Sequence, residues 1–186
     1  MPLKPTKAEL KAAYGATVPD IIAPHLKILF CGINPSVYSA VVGHHFARPG
    51  NRLWKTLYAA GFTDRLLEPK EDRQLLNYGY GMTNIAEPAT ARADELSKAD
   101  LLSGYKTLAI KVKRNCPRVL AVLGISAYRS AFVQPKATLG LQPNELHNAK
   151  LWVLPNPSGL NAHYQLPDLA RVYRELFDYL AIEMQL

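Results

Sequence analysis

The chain has 186 residues, 48% of them apolar, enough for one domain with a real core. Twenty-two Lys and Arg against fifteen Asp and Glu leave a formal net charge of +7, which favours a polyanionic partner through long-range attraction and counterion release. Cys31 and Cys116 lack metal-ligand spacing, which argues for a reducing cytoplasmic compartment and against an iron–sulfur cluster; no apolar run nears the ~20 residues that span a bilayer, and the start MPLKPTKAELKAAYG is too polar for a signal peptide, so a soluble protein is expected.

Residues 1–20 read as a charged, Pro-containing leader with a short helix over 8–14, and residues 21–186 as a single domain. The first strand is 27–31 (KILFC), where Cys31 suits a buried site, and a helix follows over 53–60. A weaker strand at 80–85 (YGMTNI) holds Gly81 and Asn84, both poor strand formers. Then come a helix over 99–113 with Leu101, Leu102, Tyr105, Leu108, Ala109 and Val112 on one face, a strand at 119–123 (VLAVL) and a helix over 125–132. A strand at 151–154 (LWVL) and a helix over 169–182, with Leu169, Val172, Tyr173, Leu176 and Leu180 inward, complete the series. Strands alternating with helices predict a four-stranded parallel sheet between helical layers, a three-layer α/β/α fold whose ligands bind beyond the carboxyl ends of the strands.

The segments at those ends are unusual. After the first strand, GINPS lets Gly32 turn sharply and Pro35 fix the next φ, so Asn34 is presented by a stiff backbone. An amide is no strong base but can orient a water; it can equally bond its own backbone in an Asn-Pro turn. Phe46, in a loop with Gly43, His44, His45, Pro49 and Gly50, is either a ring for stacking on a planar ligand or a plug onto the core. The adjacent histidines make a poor metal pair, so no metal is assigned. After the last strand, LPNPSGLNAHY is a small polar turn around Leu160. Ser158 and backbone amides could contact phosphates there while Leu160 wedges into a base stack, or Leu160 could fold back onto the core. Arg48, Arg52 and Lys55 could face phosphates or form a solvated helix surface.

Taken together, GINPS, GHHF, PGNRLW, GMTNI and LPNPSGL, in this order between about Lys27 and Leu160, resemble the mismatch-specific uracil/thymine DNA glycosylase family (Mug/TDG) of the uracil-DNA glycosylase superfamily. The resemblance implies that fold, double-stranded DNA with uracil mismatches as the partner, a monomer, no cofactor, and a role in base excision repair. It implies that Asn34 positions the water that attacks C1′ and that Phe46 stacks on the flipped uracil. Ile33 would line the pocket by its backbone, and Asn84 would read the base edge. Asn156 stands where the wider superfamily often carries a histidine that helps the leaving group. Ser158 and Gly159 would meet DNA, Leu160 would be the wedge, and Ser39 would form the wall near pyrimidine C5, where it disfavours a thymine methyl. Ala162 and His163 replace an arginine region that reads the opposite strand. Asp94, in TARADELS, departs from the asparagine of the bacterial relatives. Its carboxylate could polarise water near C1′, or Asp94 or Ser97 could cap the helix that follows. The expected activity is hydrolysis of the N-glycosidic bond without a lyase step. The competing expectations are a catalytically silent binder of damaged DNA or abasic sites, and an unrelated α/β enzyme acting on a phosphorylated small molecule, which would lack a Gly-rich phosphate loop.

Overall fold

The computed structural model describes residues 4–183. Four strands, β1 (Ile28–Gly32), β2 (Tyr80–Asn84), β3 (Val119–Leu123) and β5 (Ala149–Leu154), run parallel, and β4 (Gly140–Leu146) pairs antiparallel with β5 at one edge. The order is β2-β1-β3-β5-β4, so the expected four-stranded sheet is corrected to five strands. The extra strand, GLQPNEL, carries Pro143 and a register irregularity between Leu141 and Glu145, which hides it from a search for alternating apolar residues. It joins β5 through His147 and Asn148, both at positive φ, as a two-residue hairpin turn requires.

Alternation along the parallel strands divides the core into two layers. Ile28, Phe30, Tyr80, Met82, Val119, Ala121, Trp152 and Leu154 face α3 (Leu53–Ala59) and α6 (Leu166–Glu183). Their neighbours Leu29, Cys31, Leu120, Val122, Leu151 and Val153 face α4 (Lys98–Asn115) and α5 (Ile125–Ala131). The inward set expected for α6 is buried throughout, Leu169, Val172, Tyr173, Leu176 and Leu180; of the set expected for α4, Leu101, Leu108 and Val112 are buried and Tyr105 and Ala109 pack partly buried against the core, while Leu102 is outside it. Helix α4 starts at a reciprocal capping box in which Ser97 accepts from Asp100 N–H and the Asp100 carboxylate accepts from Ser97 N–H.

Three further elements went unread in the sequence: α2 (Val37–Val42), capped by Ser36, and 3-10 stretches over Pro69–Tyr78 and Ala93–Glu95. At the amino end, α1 (Lys7–Ala12) leads into a strap bonded to the domain. Gly15 N–H donates to Ala89 O, Ala89 N–H donates to Ala16 O, and Ile21 exchanges a pair of backbone bonds with Met82. Asp20 accepts from Thr83 Oγ1 at 2.7 Å and pairs with Lys111 at 2.7 Å.

Candidate functional site

All four parallel strands deliver their carboxyl-end segments to one cavity of about 500 Å3, whose lining includes Ile33, Asn34, Ser39, Phe46, Asn84, Thr90, Asp94, Gly124, Asn156, Ser158 and Leu160. The turn after β1 is zipped onto the segment after β2. Ile85 N–H donates to Gly32 O, Ala86 N–H to Ile33 O, Thr90 N–H to Pro35 O and Val37 N–H to Thr90 O. Ile33 therefore enters the wall with its carbonyl engaged by the neighbouring segment, its side chain lying against Gly124.

Within this frame Asn34 is fixed by chemistry. Its Nδ2 donates to Pro88 O at 2.9 Å and to Thr90 Oγ1 at 2.8 Å, while Thr90 Oγ1 passes its own proton to Arg92 O at 2.7 Å. A carbonyl can only accept, so the amide orientation is dictated rather than arbitrary. Both amide protons are occupied, and Oδ1 remains as an acceptor in a cavity-lining residue. The alternative of a self-bonded Asn-Pro turn does not occur, because the partners lie 54 and 56 residues along the chain.

Opposite β1 in register, Asn84 is buried and stands directly over Gly32. A Cβ on Gly32 would lie 2.5 Å from Asn84 Oδ1 and 2.9 Å from Phe46 Cζ, so the glycine is the floor beneath both groups. The Asn84 amide has no hydrogen-bond partner among the described residues, and it lines the cavity. Phe46 holds a left-handed φ of 51° and both reaches the cavity and rests on the core. Its conformation is bracketed by buried acceptors: Asp72 Oδ2 takes His45 N–H at 3.1 Å, and Ser39 Oγ takes Ala47 N–H at 3.1 Å. Ser39 thus meets the wall with its hydroxyl engaged, Ser36 Oγ lying 3.1 Å away. His45 Nε2 donates to Pro19 O at 2.9 Å, and burial pushes its imidazole below the usual range. His44 contacts Asp72 instead, and no group of three metal-ligating side chains comes together among the described residues.

The segment after β5 is a staircase of side-chain turns. Asn156 Oδ1 accepts from Ser158 N–H at 2.9 Å, Ser158 Oγ from Leu160 N–H at 3.2 Å, and Asn161 Oδ1 from His163 N–H at 3.2 Å. Asn156 has its oxygen engaged, its Nδ2 makes no hydrogen bond among the described residues, and the residue lines the cavity. Leu160 is 66% exposed, which rules out the folded-back alternative. Gly159 touches a second loop so closely that a Cβ there would lie 2.6 Å from Gly50 O.

Asp94 sits on the rim, in a short 3-10 turn (Ala93–Glu95), its side chain 63% exposed and bound in two contacts by Arg92, Nε at 3.1 Å and Nη2 at 2.5 Å. The helix cap belongs to Ser97, not to Asp94. Arg48 and Lys55 are exposed, as a phosphate contact requires. Arg52 is not: its guanidinium turns inward onto carbonyls of the segment after β5. Sequence reasoning missed this, and it missed the Pro88 and Thr90 partners of Asn34, because each partner lies far along the chain.

A mostly parallel α/β sheet brings amides and one aromatic ring together in a cavity at its carboxyl edge, beside a loop that carries an exposed leucine, the place where α/β sheets hold their ligands. Residues 19–181 match the family described as the Uracil DNA glycosylase superfamily, and the chain belongs to that superfamily, a class of DNA glycosylases. A solution NMR structure of a protein from Methanosarcina acetivorans, described as a candidate uracil DNA glycosylase, is similar in fold. Its TM-score is 0.55 at 18% identity, over 87% of this chain and 98% of that one.

Proposed function

We propose that this chain is a monofunctional uracil DNA glycosylase of the mismatch-directed (Mug/TDG) kind, which flips uracil from duplex DNA and hydrolyses its N-glycosidic bond. The observation that carries the reading is the locked Asn34 amide, whose Oδ1 is left as an acceptor on a residue that lines the same cavity as Phe46 and Asn84.

In this account Phe46 stacks on the extruded base and the unpartnered Asn84 amide matches the uracil N3–H and O4 edge, donor to acceptor and acceptor to donor. Asn34 Oδ1 accepts one O–H of a water and aims its lone pair at C1′. The C1′–N1 bond breaks as the C1′–O bond forms. The bonding pair leaves on the uracil anion, and the water's second proton passes to solvent. The free amide protons of Asn156 stabilise the charge that develops on the departing base, more weakly than a charged imidazole would.

The Asp94 charge is offset by Arg92 in a solvated position, so its field at C1′ is small, and Asn34 is assigned the main catalytic role. No lysine lines the cavity, which supports hydrolysis without a Schiff base. A U:G mismatch lowers the cost of flipping, whereas the tightly held Ser39 wall disfavours a thymine methyl.

Base release from labelled duplexes carrying U:G, U:A and T:G tests the proposal, with alkali revealing abasic sites. The expected order is U:G fastest and T:G slowest, with no adduct trapped by borohydride. Tight duplex binding with no base released from any of the three would replace the enzyme by a silent damage binder.

A further inference from the structure

We infer that Arg52 is a positioning residue that holds the Leu160 wedge in its inserting conformation, a role that rests on the glycosylase reading above. The guanidinium spends its fork on one loop: Nε donates to Pro157 O at 3.4 Å, Nη1 to Tyr164 O, and Nη2 to Ser158 O and to Asn161 O at 2.9 Å. The Arg52 backbone N–H adds a bond to Pro157 O at 3.0 Å. Four carbonyls on both sides of Leu160 are thereby gathered on one half-buried cation, which no other side chain among the described residues does.

The loop's own short-range bonds reach only one of these carbonyls, Ser158 O, which accepts Asn161 N–H at 3.0 Å, and Pro157 O, Asn161 O and Tyr164 O are left to Arg52, which closes the loop. The loop start is fixed separately, by Tyr173 Oη donating to Pro155 O at 2.9 Å. An exposed leucine that must unstack bases works only from a stiff support, because a loose loop loses its ordering entropy at the moment of insertion. Lysine cannot replace the clamp, since a single ammonium has three donors on one atom and cannot span the fork.

A guanidinium committed to carbonyls is not a phosphate contact, and this separates the two roles experimentally. The test uses the full chain as parent, Arg52→Lys, Leu160→Ala and the double variant, with Arg52→Gln as the second substitution should Lys fail to fold. Two readouts are taken: hydrogen exchange of the 158–164 amides, and binding to a duplex bearing a stable abasic-site analogue across a salt series.

The expected results are at least about tenfold faster exchange confined to that loop and about tenfold weaker binding. The double variant should bind within about twofold of Leu160→Ala alone. The salt slope should stay that of the parent. Losses that multiply in the double variant, exchange unchanged from the parent, or a salt slope reduced by about one, the mark of a phosphate contact, would each overturn the inference. Uracil release by the parent is scored separately: its absence beside intact duplex binding sinks the glycosylase reading alone, and absence of duplex binding sinks both.

Discussion

Gly32 shows how narrowly the site is built. The backbone at this position is ordinary for a strand, and only space forbids a side chain, with Asn84 and Phe46 both closer than any real Cβ contact. Gly32→Ala is therefore expected to fold at a cost of about 1–3 kcal/mol, and to lower kcat/KM for uracil release by at least about tenfold as Asn84 and Phe46 are pushed from the proposed base site. Calorimetry and steady-state kinetics read the two effects separately. His45 gives a pH prediction. Folded His45 resists protonation because it is buried, whereas in the unfolded chain it takes a proton near about pH 6.5. The folded state therefore loses stability as pH falls below that value toward the depressed folded pKa, and gains nothing above it. Thermal melts of the parent and His45→Gln between about pH 8 and pH 5 should diverge only on the acid side, with the parent the steeper. A parent–variant difference that changed above about pH 6.5 and stayed constant below it would reverse this assignment.

Among the elements, those with a periodic apolar face were legible and those defined by partners were not. The face of α6 was readable because Leu169, Val172, Tyr173, Leu176 and Leu180 repeat at helical spacing and are all buried. Strand β2 was the weakest expectation, since Gly81 and Asn84 oppose strand propensity; it forms because all five of its residues pair with β1 and Gly81 leaves room for Ile21 O. Strand β4 was missed because its pairing rests on a turn of His147 and Asn148 rather than on its own alternation. Asn34, Phe46 and Leu160 could be singled out from their loops, but the bonds that give Asn34 its orientation come from the β2 exit and leave no local mark in GINPS. The capping box of α4 makes a clean control. Ser97→Ala should cost about 1 kcal/mol, seen as a fall in Tm of about 2–4 °C, with uracil release unchanged because Ser97 does not line the cavity.

Over the whole molecule, the fold gathers the exits of four parallel strands at one edge and adds β4 at the far side of the sheet, away from the β1–β2 pair that carries Asn34 and Asn84. The +7 charge supports duplex binding that weakens steeply with salt, since neutralised phosphates release counterions. That term supplies encounter and not chemistry. Removing Arg48 or Lys55 should lower the salt slope by about one each while leaving the single-turnover rate of bound complex near the parent's. In the proposed mechanism the chemistry rests on a single acceptor oxygen, on an Asn34 amide held by two donor bonds. The most direct test is therefore single-turnover uracil release from a U:G duplex by the parent and by Asn34→Ala, with the Kd of the same duplex measured beside it. The account predicts a rate loss of at least about a hundredfold with Kd within about threefold of the parent; a variant that still releases uracil within about threefold of the parent rate would contradict it.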